Sequence, residues 1–348
     1  MDFGLMFWGD TLAANSVTPD YYEGLVKLAK SADEQGLTGV WLPERHFHGW
    51  GGQHPNPSVL AAALAVATRK VRLRAGSVVL PLHNPIRVVE EWAVVDNLSG
   101  GRVEISMATG WKEDDFVLAP QYYSNRRTDQ WEAIDTVRKL WRGEPFRGEN
   151  GHGVAIEVRT YPRPVQKEIP IWITSAANVE TMRKAGSAGF GLLTHLMKQD
   201  IGLLAGKLAA YRESRRAAGF EGPGRVAVMV HTHVGRDRAQ VRETVHGAMT
   251  SYLLNSADLI VQHQERAEWD RIDMRSKAQL MEIAFGRYFD SNSLMGTPSG
   301  CKTVVERLRE IGVSEVCCLV DFGLPLDCVL DGIPYLAELR DLCARPEG

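Results

Sequence analysis

Short apolar runs alternate with amphipathic stretches along nearly the whole of this 348-residue chain, and that alternation restricts its fold more than any motif does. Strand-like runs are Phe3–Trp8, Gly39–Leu42, Val71–Leu80, Arg102–Ala108, Pro170–Thr174, Phe190–His195, Arg225–Val234 and Ser314–Phe322. Helix-like stretches separate or follow them: Tyr21–Gln35, Ser58–Thr68, Ile86–Leu98, Thr128–Arg142, Val179–Gly186, Leu203–Ala218, Ala239–Leu254 and Leu326–Leu342. A strand that returns to its sheet through a helix pairs in parallel with a right-handed crossover. Eight such units are the number that closes a barrel. The expected fold is therefore α/β, a (β/α)8 TIM barrel with insertions. A doubly wound open sheet ranks second, because no Gly-rich nucleotide turn follows an early strand.

One domain spanning residues 1–348 is expected, since no linker, repeat or low-complexity tract divides the chain. Three stretches exceed what a barrel needs: 111–125, 143–167 with a hairpin around Val154–Val158, and 255–300, expected outside the barrel as helices and loop. Loops of this length are usually functional.

The formal net charge is −3 and there is no basic tract, which argues against nucleic acid as a partner. No apolar run reaches the ~18 residues of a membrane span, and no leader pattern opens the chain. The five cysteines lack CxxC spacing, so reduced thiols and a cytoplasmic location are expected.

Barrel enzymes carry their reacting groups at the C-terminal ends of the strands. Those ends hold aromatics and histidines but few carboxylates, Glu44 and Asp321 being the acids. A two-carboxylate glycosidase is poorly supported, and G-x-S-x-G is absent. His46 with His48, or His231 with His233, lack a third ligand of evident spacing, so no metal site is expected. A planar heterocycle suits the composition better. Phe7, Trp8, Trp111 and Met197 can wall it, while Gly76, Ser77, Ala108 and Ala176 let backbone approach a ring; alternatively Met6 and Phe7 only fill the interior. The turn Ser175-Ala176-Ala177-Asn178 opens a helix and offers free N–H groups to an anion, although Asn178 is equally explained as an N-cap.

The runs Trp41-Leu42-Pro43-Glu44-Arg45-His46-Phe47, Val79-Leu80-Pro81, Asn84-Pro85-Ile86-Arg87 and Asp96-Asn97-Leu98-Ser99-Gly100-Gly101-Arg102 come in order. Pro170-Ile171-Trp172-Ile173, Gly296-Thr297-Pro298 and Glu315-Val316-Cys317-Cys318 continue the series. Together they resemble the bacterial luciferase-like flavin monooxygenases over nearly the whole chain. Ala108-Thr109-Gly110-Trp111 and Leu192-Leu193-Thr194-His195-Leu196 look like the branch that serves natural-product biosynthesis.

That resemblance implies FMN, reduced by a separate flavin reductase, with dioxygen as co-substrate. The substrate would be a small metabolite or a carrier-protein-bound intermediate. It also implies a bulged third strand with a non-proline cis peptide near Gly76-Ser77, and a homodimer through helices near Ile86–Leu98. Cofactor contacts are expected from Phe7, Trp8, Gly76, Ser77, Ala108, Thr109, Ser175, Ala176, Ala177, Asn178 and Thr194. Substrate contacts are expected from Arg45, His83, Trp111 and Met197.

Two departures alter the chemistry. Light-emitting relatives carry Glu-His-His where this chain has Glu44-Arg45-His46. Arginine stays protonated and cannot act as a base; Arg45 suits a substrate carboxylate or the peroxide anion. Acid–base work then passes to His46, His195 or His83, with His46, Arg45 and His195 as the catalytic set. Thr109 replaces an arginine that binds the FMN phosphate in those relatives, so phosphate binding must rest more on Thr109 and the Ser175–Asn178 turn, or FMN binds weakly. Two rivals stay open: a deazaflavin-dependent hydride-transfer enzyme, whose acidic tail Arg45 and Arg126-Arg127 would suit, and a catalytically silent flavin-binding paralogue.

Overall fold

A computed structural model describes residues 1–9, 19–47, 51–197, 199–260 and 269–344. Eight parallel strands close a ring. In chain order they are β1 (Asp2–Met6), β2 (Gly39–Leu42), β3 (Arg72–Val79), β4 (Val103–Ala108), β7 (Ile171–Thr174), β8 (Gly191–His195), β9 (Val226–Val234) and β11 (Glu315–Leu319). β11 pairs back onto β1, so the sheet has no open edge. Between β4 and β7, β5 (Phe146–Glu149) and β6 (Ala155–Val158) form the expected antiparallel hairpin. The fold class read from the sequence is the fold observed, and each expected strand matches a barrel strand to within three residues at either end.

Helices α1 (Pro19–Glu34), α2 (Pro57–Ala67), α3 (Pro85–Ser99), α4 (Arg126–Arg142), α5 (Val179–Ser187) and α6 (Ile201–Ala217) follow the strands. Local chemistry sets their ends. Asn56-Pro57 and Asn84-Pro85 repeat one device: the asparagine Oδ1 accepts N–H groups of the first turn, and proline fills a position whose N–H has no helical partner anyway. Gly100, at φ 68°, then ends α3 in the left-handed conformation that a Cβ would disfavour.

The excess before the last barrel strand holds helices, as expected, and a short strand among its described residues. α7 (Arg238–Ile260) and α8 (Met274–Ser291) form an excursion. It returns through a short strand missed in the sequence, β10 (Leu294–Gly296), which extends the pairing of β9 beside Thr232–Val234. α9 (Pro298–Glu310) and α10 (Leu326–Cys343) complete the set. The two short 3-10 turns 113–118 and 120–122 occupy the first insertion.

Strand alternation sorts the side chains. On β1, Phe3 and Leu5 face outward and pack with Leu25, Leu28 and Ala29 of α1. Met6 faces the lumen with Trp41, Trp172, Met229 and Cys317. The lumen floor is charged. Arg74 donates to Glu104 at 2.9 Å and to Glu315 at 2.5 Å, while Trp172 and Trp41 donate their indole N–H to the same two carboxylates. Arg72 and Arg225 close on Glu104 from the barrel rim. Gly4 leaves room here, because a Cβ would lie 2.7 Å from the Glu315 carboxylate.

Candidate functional site

At the mouth, Glu44 follows β2 and is almost fully buried. Its Oε1 accepts from His46 Nε2 at 2.8 Å and from His83 Nε2 at 2.6 Å; its Oε2 accepts the Val79 N–H at 2.8 Å. Burial alone would raise this carboxyl, but the two imidazoles and the amide outweigh it and hold it below its ordinary value. Burial would lower His83, yet its hydrogen bond to Glu44 and that carboxylate's charge raise it above the usual imidazole range. A carboxylate only accepts, so both rings present Nε2–H to Glu44 and keep Nδ1 as the acceptor. Glu44 thus fixes the tautomer and orientation of two histidines, as a carboxylate does behind a catalytic imidazole.

Arg45 is buried beside them, its guanidinium 4.2 Å above the Trp8 ring and 5.7 Å from the Trp111 ring. Trp8 is half-buried in the mouth, whereas Trp111 is exposed on the first insertion. A guanidinium stacked on aromatic faces donates in its own plane. Asp115, from the same insertion, lies near this group; among the described residues its Oδ1 has no hydrogen bond but stands 4.0 Å from Lys112 Nζ, and burial raises its carboxyl. Sequence reading did not single it out.

Next to β2 in the ring, β3 has the bulge and the cis Gly76–Ser77 peptide that the resemblance implied. Ser77 and Ser106 both hydrogen-bond the Thr174 hydroxyl, giving a polar wall from β3, β4 and β7. The Ser175–Asn178 turn follows β7. Asn178 serves as the N-cap of α5, its Oδ1 accepting the Thr181 N–H at 3.1 Å, and its carbonyl accepts from the Ser175 hydroxyl at 3.0 Å. The turn's anion-binding capacity therefore lies in its backbone N–H groups rather than in the Asn178 side chain. Lys207 of α6 reaches the turn, with Nζ 3.4 Å from the Ala176 carbonyl and 2.7 Å from Gln199 Oε1. It brings a cation to the turn where the position of Thr109 brings none; its distance in sequence hid it. Ala108 and Thr109 are half-buried at the end of β4. Small residues on β3 and β4, hydroxyls, and a helix N-terminus beside an ammonium fit a flat ring carrying a phosphate.

Strand parity places two of the expected residues away from the lumen. Phe7 is fully buried in the layer between strands and helices with Phe3 and Leu5, so it cannot wall the site, and Trp8 alone of the pair faces it. Thr194 shares the outward parity of Leu192, is buried, and lies 3.4 Å from Gln199 Nε2 rather than in the lumen.

His195 is inward, but β8 lies four strand positions from β2 in the ring of eight, on the opposite side of the mouth from His46. Its Nδ1 accepts the Met197 N–H at 3.2 Å, leaving Nε2 as the donor. Its neighbour His231 is fully buried against Tyr288, Tyr252 and Phe322, and burial, with His195 nearby, pushes it down to about 3. His233 instead packs on Gly332 of α10, so these two do not converge. His48 lies outside the described residues, among which no three His, Cys, Asp or Glu side chains are placed to hold a metal. No helix among them is long and apolar enough to cross a membrane.

The model of the luciferase-like monooxygenase family matches residues 1–315. The chain belongs to that family. It is 28% identical over 223 residues to 4-hydroxyprotoasukamycin monooxygenase of Streptomyces nodosus subsp. asukaensis, covering 62% of this chain and 60% of that protein. It is 27% identical over 184 residues to the oxygenase component of the flavin-dependent trigonelline monooxygenase of Acinetobacter baylyi, covering 50% and 49%. The chain thus matches only about half to three-fifths of these relatives' lengths. The crystal structure of monooxygenase RslO1 from Streptomyces bottropensis superposes with a TM-score of 0.80 at 24% identity, covering 97% of this chain and 98% of that one.

Proposed function

We propose that this family member is an FMN-dependent monooxygenase, using reduced flavin from a separate reductase and dioxygen to oxygenate an anionic small metabolite or a carrier-bound acid in natural-product biosynthesis. One observation carries the reading: a buried, aromatic-stacked arginine beside two imidazoles held by one carboxylate, facing a helix N-terminus across the barrel mouth. The relative named as a flavin-dependent oxygenase component supports both the cofactor and the separate reductase.

The backbone N–H groups of 176–179 and Lys207 would hold the phosphate, and the wall of Gly76, Ser77 and Ala108 would flank the ring. When bound, reduced FMN supplies the electrons that activate dioxygen. Arg45 holds the anionic group of the substrate in the plane of its guanidinium. His46, oriented by Glu44, takes or returns a proton at Nδ1, and His195 donates from Nε2 across the mouth. Trp8, Met197 and Trp111 exclude water. We further propose a homodimer through the face that carries exposed Val59, Val66, Val94 and Leu98 on α2 and α3; light scattering at micromolar concentration tests it.

The decisive experiment is anaerobic titration with chemically reduced FMN, followed by mixing with aerated buffer and assay of hydrogen peroxide with and without candidate acids. FMN binding, with peroxide release suppressed by a carboxylate substrate, is expected. Tight deazaflavin binding with hydride transfer that ignores dioxygen would transfer the site to the rival reading. FMN binding with peroxide release that no candidate acid alters, and without product, would leave the silent flavin-binding paralogue.

A further inference from the structure

Five residues from four separate parts of the chain close a ring of contacts around Arg45. The Asp321 carboxylate, just after β11, accepts the Trp8 N–H at 2.6 Å and the Gly9 N–H at 2.8 Å. Tyr21 of α1 donates its hydroxyl to the same carboxylate at 3.1 Å and lies 2.7 Å from His54 Nε2. The His54 carbonyl accepts the Arg45 N–H at 2.9 Å. The ring closes where the Arg45 guanidinium lies on Trp8.

Proton inventory fixes the direction. Tyr21 has one hydroxyl proton, and a carboxylate can only accept it. His54 therefore presents Nε2–H to the tyrosine oxygen and is held as one tautomer. It is fully buried, and Gly9 is what admits it, since a Cβ there would lie 2.8 Å from the imidazole Cδ2. At Gly9 φ is 81°, so the residue is also needed for the backbone. Gly51 makes the matching allowance on the other side, where a Cβ would stand 2.9 Å from Arg45 Nε. The backbone around the guanidinium is thus cut away at two glycines and held by three hydrogen-bonded side chains, Asp321, Tyr21 and His54.

We infer that Tyr21, His54 and Asp321 are positioning residues that set the plane of the Arg45 guanidinium on Trp8 and so tune the anion site. The link to an anion rests on the function proposed above; the link to position does not. Losing one such hydrogen bond is expected to weaken anion binding by about 2- to 10-fold.

The test uses the full chain, arginine Nε–Hε NMR spectra, and benzoate as probe with benzamide as the neutral control. The Arg45 signal is identified by its loss in Arg45→Lys and is expected upfield, from the Trp8 ring current. Tyr21→Phe and His54→Leu should move it back toward exposed arginine and weaken benzoate but not benzamide. His54→Gln, whose amide N–H replaces the lost donor, should keep both properties. If Tyr21→Phe and His54→Leu leave the signal and benzoate affinity unchanged, the inference is overturned. If benzoate binds Arg45→Lys as well as the parent, the anion reading fails, while the signal in Tyr21→Phe still decides the positioning role.

Discussion

At the floor of the barrel, Arg74 lies between Glu104 and Glu315, with Trp41, Trp172, Arg72 and Arg225 as further partners of the two carboxylates. At the mouth, Glu44 holds His46 and His83. Both clusters rest on buried carboxylates; they differ in the partner chosen. Arginine does not deprotonate, so the floor keeps its cations at any pH the fold survives. Imidazole titrates near neutrality, and the side chains of His46 and His83 are 10% and 32% exposed against 0% for Glu44. One fold therefore uses ion pairs once as a fixed plug and once as groups able to exchange protons with whatever enters.

The contrast is broken most directly from below. Glu104→Gln removes the anion shared by Arg74, Arg72 and Arg225, and breaking a buried pair from one side costs about 3–5 kcal/mol. Urea unfolding should report a loss of that order, with the folded fraction still binding reduced FMN. A cost under about 1 kcal/mol would mean that the floor is no plug.

The counterpart at the mouth is His46→Ala. It should leave flavin affinity within a few-fold and lower product formation by about 10²–10⁴-fold, with hydrogen peroxide appearing instead. His195→Ala should act in the same direction from the other side. Coupling of dioxygen to product that survives both changes would remove these histidines from the chemistry.

A subtler change sharpens the comparison. His83 has a raised folded pKa, so its pairing stabilises fully below its unfolded value near 6.5 and is lost as pH climbs through the folded one. Glu44 has a lowered pKa; its contribution is present above about 4.5 and is lost as pH falls through the folded value. The pair therefore works in the window between them. Glu44→Gln should move the His83 NMR titration midpoint downward and flatten the pH dependence of unfolding across that window. An unmoved midpoint would deny the coupling. The smallest effect is expected at exposed Trp111: Trp111→Ala should weaken benzoate by about 2- to 5-fold, as for a solvent-exposed cation–π contact of roughly 0.5–1 kcal/mol, measured by calorimetry.

The floor and the mouth were not equally legible in the sequence. The barrel strands and most helices were read almost to their ends because alternation, Asn-Pro caps and terminal glycines are local signals, whereas the helix Pro298–Glu310 was not read. Glu44, Arg45 and His46 were legible because they are contiguous and end a strand. Parity was not: whether Phe7 or Trp8 turns inward depends on where β1 begins to twist and stop, and the same holds for Thr194 on β8. The Tyr21–His54–Asp321 contacts span up to 300 positions, and Lys207 meets its turn only after two helices pack, so no local pattern announces either. β10 was missed because three residues are too few to show a period.

The floor also governs traffic. With Arg74 clamped between two carboxylates and Trp41 packed edge to face on Trp172 at 5.3 Å, the tube is a cul-de-sac. Whatever arrives must leave by the same door. If, as proposed, a flat cofactor seats against β3 and β4 and the substrate takes the Arg45 side, the later arrival would bar the exit of the earlier. The kinetic order of entry would then be written in the architecture itself, and product-inhibition patterns should read as compulsory sequence rather than as free exchange.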